Sequence, residues 1–193
     1  KVRLGVEAGE DVILKEKPDA VIVATGADPI IPNIPGIRGS NVSTAWDVLT
    51  GKSAVGSRVI IIGGGLIGCE TAEYLLPQGK QITMVEMLEK IGQDIGASYR
   101  WLIISRLRKA GVRMEVKAQA EEINEKGVII SRDGTKQVIE GDSVVVAVGQ
   151  RSNKALAEKL QGKVNNLHVI GDASAPRRIR EAVEEGFKVA MEL

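Results

Sequence analysis

Residues 58–86 read RVIIIGGGLIGCETAEYLLPQGKQITMVE and combine an apolar run, a glycine-rich segment and a second strand-like run. The continuous apolar run Val59–Ile62 predicts a buried strand, and Gly63–Gly68 predicts a tight turn. The small or apolar positions of Leu66–Leu76 fall on one helical face, and Gln81–Glu86 returns to a strand pattern. The stretch therefore predicts a β-α-β unit.

The glycine turn also contains a sequence motif that points to a chemical function. Gly63, Gly65 and Gly68 form G-x-G-x-x-G directly after a strand and directly before a helix. Gly63 permits the sharp turn, Gly65 lets the backbone approach a pyrophosphate, and Gly68 lets the helix lie close to the strand. Leu66 and Ile67 begin the helix, where free N–H groups and the positive dipole end face the phosphates. The pattern predicts dinucleotide binding.

Glu86 ends the second strand about twenty residues after the glycines, where a carboxylate accepts hydrogen bonds from ribose hydroxyls. A carboxylate at this place repels the extra phosphate of NADP, although Lys90 lies nearby and opposes that effect. We therefore expect NAD(H) to be preferred over NADP(H).

Two other interpretations of the turn stay open. The first is a tight β-α turn with an unrelated surface glutamate. The second is a site for S-adenosylmethionine or a nucleotide sugar. Methyltransferase turns usually carry an acidic residue just before the glycines, whereas here the approach is the apolar run Val59–Ile62.

Outside this stretch the elements are predicted from periodicity. Lys1–Val6 alternates charged and apolar residues, which predicts a half-buried strand, and Glu10–Glu16 predicts a short helix or turn. Ser98–Ala110 predicts an amphipathic helix, and residues 128–139 predict a β-hairpin about Asp133-Gly134. The predicted fold class is α/β: a Rossmann-like three-layer dinucleotide-binding domain with a β-meander, inserted in a partial domain of the same type.

Composition excludes several classes of protein. The chain has 193 residues with 44% hydrophobic residues, and 26 Lys and Arg oppose 25 Asp and Glu. The net charge of +1 argues against a nucleic-acid surface or a polybasic membrane anchor. No apolar run approaches the roughly 18 residues of a membrane span. From the balanced charge and the lack of such a run, neither nucleic acid nor a membrane is an expected partner. The expected location is cytoplasmic. With Cys69 alone, the chain offers no intrachain disulfide, no CxxC pair and no cysteine-based zinc site, and no metal site is predicted.

Four motifs in order resemble a known family. They are ATGADPIIPNIPG (24–36), GGGLIGCETAEYL (63–75), VVVAVGQRSN (144–153) and LHVIGDA (167–173). Together they resemble the two-dinucleotide-binding flavoproteins of the pyridine nucleotide–disulfide oxidoreductase type. More narrowly, the chain resembles the C-terminal part of the NADH:flavin oxidoreductases related to 2,4-dienoyl-CoA reductase and trimethylamine dehydrogenase.

The resemblance implies a domain organisation. Residues 53–150 correspond to an inserted NAD(P)-binding domain, and residues 1–52 with 151–193 correspond to part of an FAD-binding domain. Glu70 matches an acidic position near the nicotinamide in related reductases, and Gly149, which ends a buried strand, is added to the NAD set. Both assignments are implied by the resemblance alone.

The FAD residues are implied in the same way. Ala24, Thr25 and Gly26 match the family's ATG turn, where the backbone passes close to the flavin nucleotide. Gly171 and Asp172 match the glycine-aspartate pair whose carboxylate binds the ribityl chain, with the following helix directed at the flavin. The family's first G-x-G-x-x-G is expected before Lys1, so that only half of an FAD site is present.

The implied function is that of an oxidoreductase part. We expect the chain to be a fragment that binds nicotinamide dinucleotide and, joined to the N-terminal portion of its polypeptide, passes hydride from NADH to FAD. FMN and an iron–sulfur cluster belong to the missing portion in similar proteins. The fragment alone is expected to be inactive, and no catalytic acid or base is assigned. The alternatives are a non-catalytic adenine-nucleotide (ADP) module or a docking module of an electron-transfer flavoprotein.

Other reactive side chains receive structural interpretations. Cys69 is expected to be a buried small hydrophobe rather than a reactive thiol, and His168 is expected to be structural. Arg177, Arg178 and Arg180 are expected to form a solvated face, with contact to flavin or to an acidic neighbour as the alternative.

Overall fold

The computed structural model describes all 193 residues and divides them into two units. The central unit is Pro29–Gly149, and the flanking unit comprises Lys1–Asp28 and Gln150–Leu193. The central unit contains β3 (Val42–Thr44), α2 (Ala45–Leu49), β4 (Arg58–Ile62), α3 (Leu66–Leu75), β5 (Gln81–Val85), α4 (Ala97–Lys109), β6 (Arg113–Glu115), β7 (Gln119–Asn124), β8 (Gly127–Arg132), β9 (Thr135–Glu140) and β10 (Ser143–Val146). The flanking unit contains α1 (Glu10–Glu16), β1 (Val21–Val23), β2 (Ala27–Pro29, at the unit boundary), β11 (Gln150–Ser152), α5 (Ala155–Leu160), β12 (Leu167–Val169) and α6 (Ile179–Glu192).

The central unit is built on a five-stranded parallel sheet in the order β3-β10-β4-β5-β6. Side chains alternate along β4, so that Val59 and Ile61 join one apolar cluster while Ile60 and Ile62 join another. The first cluster packs under α2, α3 and α4, and the second packs under the antiparallel sheet β7-β8-β9. This gives three layers, with apolar burial on both faces of the parallel sheet. The predicted α/β fold class is confirmed.

The central unit begins earlier in the chain than the predicted NAD domain. Residues 29–52 belong to it because β3 pairs in parallel with β10, with Val42 opposite Val144, and because Ala45 and Val48 of α2 are buried in the core. Thr44 caps α2, since its hydroxyl accepts a hydrogen bond from the Asp47 N–H at 3.1 Å.

In the flanking unit β1 pairs in parallel with β12, and α1 and α5 cover a small apolar cluster around Val23 and Leu160. The strand predicted over Lys1–Val6 is wrong. These residues make no strand pairing, and Val2 and Leu4 are 82% and 87% exposed. Alternation alone does not make a strand where no neighbouring backbone is present to pair with it.

A buried ion cluster ties β6 to β8. The Glu115 carboxylate is 8% exposed and accepts hydrogen bonds from the guanidinium groups of Arg113 and Arg132. Burial raises the pKa of Glu115, but the two arginine hydrogen bonds outweigh it and leave the pKa below its ordinary value. Because the folded-state pKa is depressed, the cluster stabilises the protein above the unfolded-state pKa, and this stability is lost as the pH falls through the folded-state value.

We expect Glu115→Gln to lower the free energy of unfolding at pH 7 by about 1–3 kcal/mol, because it leaves two arginines without their charged partner. The deficit should shrink as the pH falls through the depressed folded-state pKa of Glu115, where the wild-type carboxylate becomes protonated too. Urea denaturation at pH 7 and at low pH measures both values. Glu121→Gln, which removes the half-buried partner of the exposed Lys136, is the control and should have a much smaller effect. A deficit that is the same at both pH values would contradict the assignment.

Candidate functional site

The candidate site lies at the carboxyl end of the parallel sheet, where the strand order changes direction. From β4 the chain proceeds outward through α3 to β5 and β6, whereas β10 and β3 lie on the other side of β4. Open α/β sheets bind ligands at such a switch point, outside the carboxyl ends of the strands. The turn after β4 and the segment Ala147–Gly149 after β10 meet there.

Two glycines of the turn are required by packing. Gly63 has φ +108°, and a Cβ on it would lie 2.3 Å from the Ala147 carbonyl oxygen. A Cβ on Gly68 would lie 2.1 Å from the Gly63 carbonyl oxygen. Both distances are shorter than any real contact, so that β4, β10 and α3 approach as closely as they do only because these positions lack a side chain.

Gly65 lies next to an acidic side chain, Asp94, that the glycine motif did not predict. It stands at the N-cap of α3, and the Leu66 N–H of the first helical turn donates to the Asp94 carboxylate at 3.0 Å. Asp94 belongs to the segment between β5 and α4, in the stretch IGQDIG (91–96). A signal for it exists in the sequence: an acidic residue between two isoleucines in the loop that follows the Glu86 strand.

Glu86 lies just beyond β5 and is 9% exposed. Its carboxylate accepts hydrogen bonds from the Gly64 N–H at 2.7 Å and from the Leu88 N–H at 2.8 Å. Glu86 therefore fastens the glycine turn to the segment after β5. Each carboxylate oxygen has a further lone pair that remains able to accept a ligand hydroxyl.

These groups border a cavity of ≈ 520 Å³, a volume typical of small-molecule sites. Its walls are the glycine turn, residues 85–88 with 90, 93 and 94, residues 118–120 and residues 147–149, with Pro32 and Ile34 at one side. Of the predicted NAD residues, the cavity brings together Gly63, Gly65, Leu66, Ile67, Glu86 and Gly149.

Two predicted NAD residues do not line this cavity. Gly68 is buried on the face of α3 that packs against the Gly63 carbonyl, where it acts through packing. Glu70 is exposed on α3. Desolvation, together with the nearby carboxylates of Glu73 and Asp94, raises the pKa of Glu70.

The surroundings of Cys69 make its thiol unreactive. The side chain is fully buried, its Sγ lies 3.7 Å from the Gly64 carbonyl oxygen, and burial raises the pKa of the thiol to about 12. The interpretation of Cys69 as a buried small hydrophobe is confirmed, since a thiol with this pKa is not a nucleophile near neutral pH.

The predicted FAD residues meet in the flanking unit. Ala24–Gly26 follow β1, and Gly171 and Asp172 follow β12, so the parallel pairing brings both turns to one end of the strand pair. The Thr25 hydroxyl donates to the Asn153 carbonyl at 2.7 Å, and a Cβ on Gly26 would meet nothing within 4 Å. The backbone of this turn is therefore open to close approach.

A short segment separates Asp172 from the helix that follows it. Gly171–Ala173 form a short 3₁₀ helix, and α6 begins at Ile179. The Gly171 N–H donates to Glu185 of α6 at 2.7 Å, and the Arg177 N–H donates to Asp172 at 3.0 Å.

The basic cluster at the start of α6 pairs with acidic neighbours. The Arg177 side chain forms an ion pair with Glu185, and Arg180 forms one with Glu184 at 2.8 Å. All three arginines are exposed, as expected for a solvated face, and two of them also contact the acidic neighbours that the sequence left open as the alternative. None of the 193 residues lies in a group of three or more His, Cys, Asp or Glu side chains placed to hold a metal ion. None of the helices combines the length and the apolar composition that a membrane span requires.

Known proteins similar to this chain are oxidoreductases. A metal reductase of Desulforamulus reducens is 37% identical over 200 residues, covering 89% of this chain and 30% of that protein. An NADH oxidase of Thermoanaerobacter brockii is 38% identical over 199 residues, covering 100% of this chain and 31% of that protein. Among solved structures, a 2-naphthoyl-CoA reductase in complex with 2-naphthoyl-CoA superposes with a TM-score of 0.95 at 34% identity, over 100% of this chain and 30% of that one.

The chain thus spans about 30% of the length of these relatives. The narrower resemblance to 2,4-dienoyl-CoA reductase and trimethylamine dehydrogenase stays a prediction. The broader resemblance is confirmed, because the family model for pyridine nucleotide-disulphide oxidoreductases matches residues 4–186 of this chain. That match covers both units, the glycine turn and the paired turns after β1 and β12, and the chain belongs to the pyridine nucleotide-disulphide oxidoreductase family.

Proposed function

We propose that this chain binds NAD(H) in its central unit and, within the intact protein, serves the transfer of hydride from NADH to FAD. One observation carries the proposal. The glycine turn and the Glu86 carboxylate, which the sequence places 18 to 23 residues apart, border one cavity at the switch point of the sheet.

The residues at this place fit a dinucleotide. Gly65 has no side chain between the backbone and the cavity, and the nearest atom to a Cβ there would be a carboxylate oxygen of Asp94, at 3.1 Å. Leu66 and Ile67 would offer N–H groups at the positive end of α3 to the pyrophosphate. Glu86 would accept ribose hydroxyls, and its charge favours NAD(H) over NADP(H).

FAD fits the flanking unit in part. The open backbone at Ala24–Gly26 and the carboxylate of Asp172 would hold portions of it, and the remaining contacts would come from the rest of the polypeptide. Reduced nicotinamide donates hydride and a flavin accepts it, so the chain's own residues have to bind, orient and shield the cofactors. On this proposal the 193-residue chain binds FAD weakly and does not turn over alone, while FMN and an iron–sulfur cluster, if the intact protein holds them, belong to the rest of the polypeptide.

The decisive experiment is a calorimetric titration of the 193-residue chain with NADH, NADPH and ADP. We expect NADH to bind more tightly than NADPH, because Glu86 disfavours the added phosphate, and more tightly than ADP, because the nicotinamide half adds contacts. Equal affinities for NADH and ADP would instead identify a nucleotide module without a nicotinamide site. Binding of none of the three would remove the functional interpretation of the glycine turn.

A further inference from the structure

We propose that Asp94 is an internal competitor for the phosphate position, and that its carboxylate sets the affinity of the chain for dinucleotides. The inference rests on the proposed function, since it concerns the same site. In this role Asp94 lowers the affinity, because its carboxylate occupies the N-terminal end of α3, where a pyrophosphate would bind.

The Asp94 carboxylate lies against the first residues of α3. Asp94 Oδ2 accepts the Leu66 N–H at 3.0 Å, so it takes one of the free donors at the start of α3. A Cβ built on Gly65 would lie 3.1 Å from Oδ2 and 3.4 Å from Oδ1 of Asp94. The side chain therefore covers the backbone at the glycine that a pyrophosphate must approach.

The loop around Asp94 is anchored on both sides. Ile91 and Ile95 are 2% and 6% exposed and belong to the core beneath α3 and α4. The Gly92 N–H donates to the Gly64 carbonyl at 2.6 Å, which fastens the loop to the glycine turn. Asp94 itself is exposed. Its side chain can thus turn away from α3 by rotation about its own bonds, without exposing either isoleucine.

Charge makes the competition direct. A carboxylate and a pyrophosphate both seek the positive helix end, and two anions at contact distance repel each other. Lys90 is the cationic side chain among the residues that line the cavity, against the carboxylates of Glu86 and Asp94. A dinucleotide therefore has to displace the Asp94 carboxylate from Leu66 before its phosphates occupy the helix end.

The test compares Asp94→Asn with the wild-type chain. The asparagine oxygen still caps α3 but carries no charge, so the melting temperature should change little. The affinities for NADH and for ADP should both rise, by about five- to tenfold, which is the effect of removing one unit charge at contact distance in a water-like medium. Adenosine, which has no phosphate, should bind both proteins equally.

Glu89→Gln is the matched control. It removes the same charge from the same loop, but Glu89 pairs with Lys117 and does not line the cavity. Its affinity for NADH should stay within about twofold of wild type, because an exposed paired charge is screened. A second variant, Asp94→Ala, should also bind NADH more tightly while melting at a lower temperature, since it removes the cap as well.

The outcomes separate this inference from the proposed function. Wild-type chain that binds NADH no less tightly than Asp94→Asn overturns the competitor role and leaves the proposed function standing. An equal gain for adenosine, or a gain of the same size in Glu89→Gln, also overturns it. If no variant binds any nucleotide, the proposed function fails and this inference with it.

Discussion

Replacing Gly68 by alanine is expected to abolish measurable NADH binding and to lower the free energy of unfolding by about 1–3 kcal/mol. The added Cβ would lie 2.1 Å from the Gly63 oxygen and 3.1 Å from the Gly63 carbonyl carbon, and neither backbone atom can rotate aside. The helix α3 has to move away from β4, which carries the N–H groups of Leu66 and Ile67 out of position. Losing two charge-assisted hydrogen bonds of about 1.5 kcal/mol each weakens binding by more than ~100-fold.

Gly186→Ala is the matched control for that experiment. Gly186 lies within α6, and a Cβ there would meet only Ile170 Cδ1 at 3.9 Å, which is ordinary contact. Alanine at a helical position should stabilise the protein by about 0.5–1 kcal/mol and leave the NADH affinity unchanged. If Gly68→Ala binds NADH as the wild type does, the close approach of α3 to β4 is not what positions the phosphate donors.

The second large effect is expected at Glu86, where Glu86→Arg should reverse the preference between NADH and NADPH. A carboxylate about 4 Å from a phosphate charge costs roughly 1 kcal/mol in water and about 4 kcal/mol at an effective dielectric constant near 20. This corresponds to a preference for NADH of about fivefold to nearly a thousandfold. Arginine replaces that repulsion by attraction and offers a planar donor to the added phosphate.

The hydrogen bonds of Glu86 determine which measured quantity is informative in this experiment. Both Glu86→Arg and Glu86→Ala leave the N–H groups of Gly64 and Leu88 without their acceptor, which costs stability whatever the role of Glu86 in binding. The informative quantity is therefore the ratio of the two dissociation constants, since a folding defect changes both alike. Glu86→Gln keeps an acceptor oxygen and should bring the ratio towards one. A ratio that is unchanged in all three variants would show that Glu86 does not face the ribose.

The local part of this fold could be predicted from the sequence. The strand β4, the glycine turn and the helix α3 are contiguous, and each is determined by residues within one or two turns of itself. The packing required of Gly63 and Gly68 could also be predicted, because a β-α turn this tight leaves no space for a Cβ.

Elements that depend on distant partners could not be predicted in this way. The sequence of β7, QAEEIN, has a single fully buried apolar side chain, Ile123, and becomes a strand through its pairing with β8. The membership of β3 in the central unit depends on β10, about a hundred residues later in the chain. The sequence marks Asp94 only as an acidic residue between two isoleucines, and its contact with the Leu66 N–H depends on the helix end that the fold places beside it.

The place of β10 between β3 and β4 has a consequence for how the protein folds. During synthesis β4, α3 and β5 emerge before β10, and β4 then presents an unpaired edge bearing Val59 and three isoleucines. That edge stays open until β6 and the antiparallel sheet have been made and Ser143–Val146 can enter the gap. Pairing over such sequence distances slows folding, and an open apolar edge can pair with another chain. The last-formed strand of the sheet is thus also the one that shields its centre from self-association.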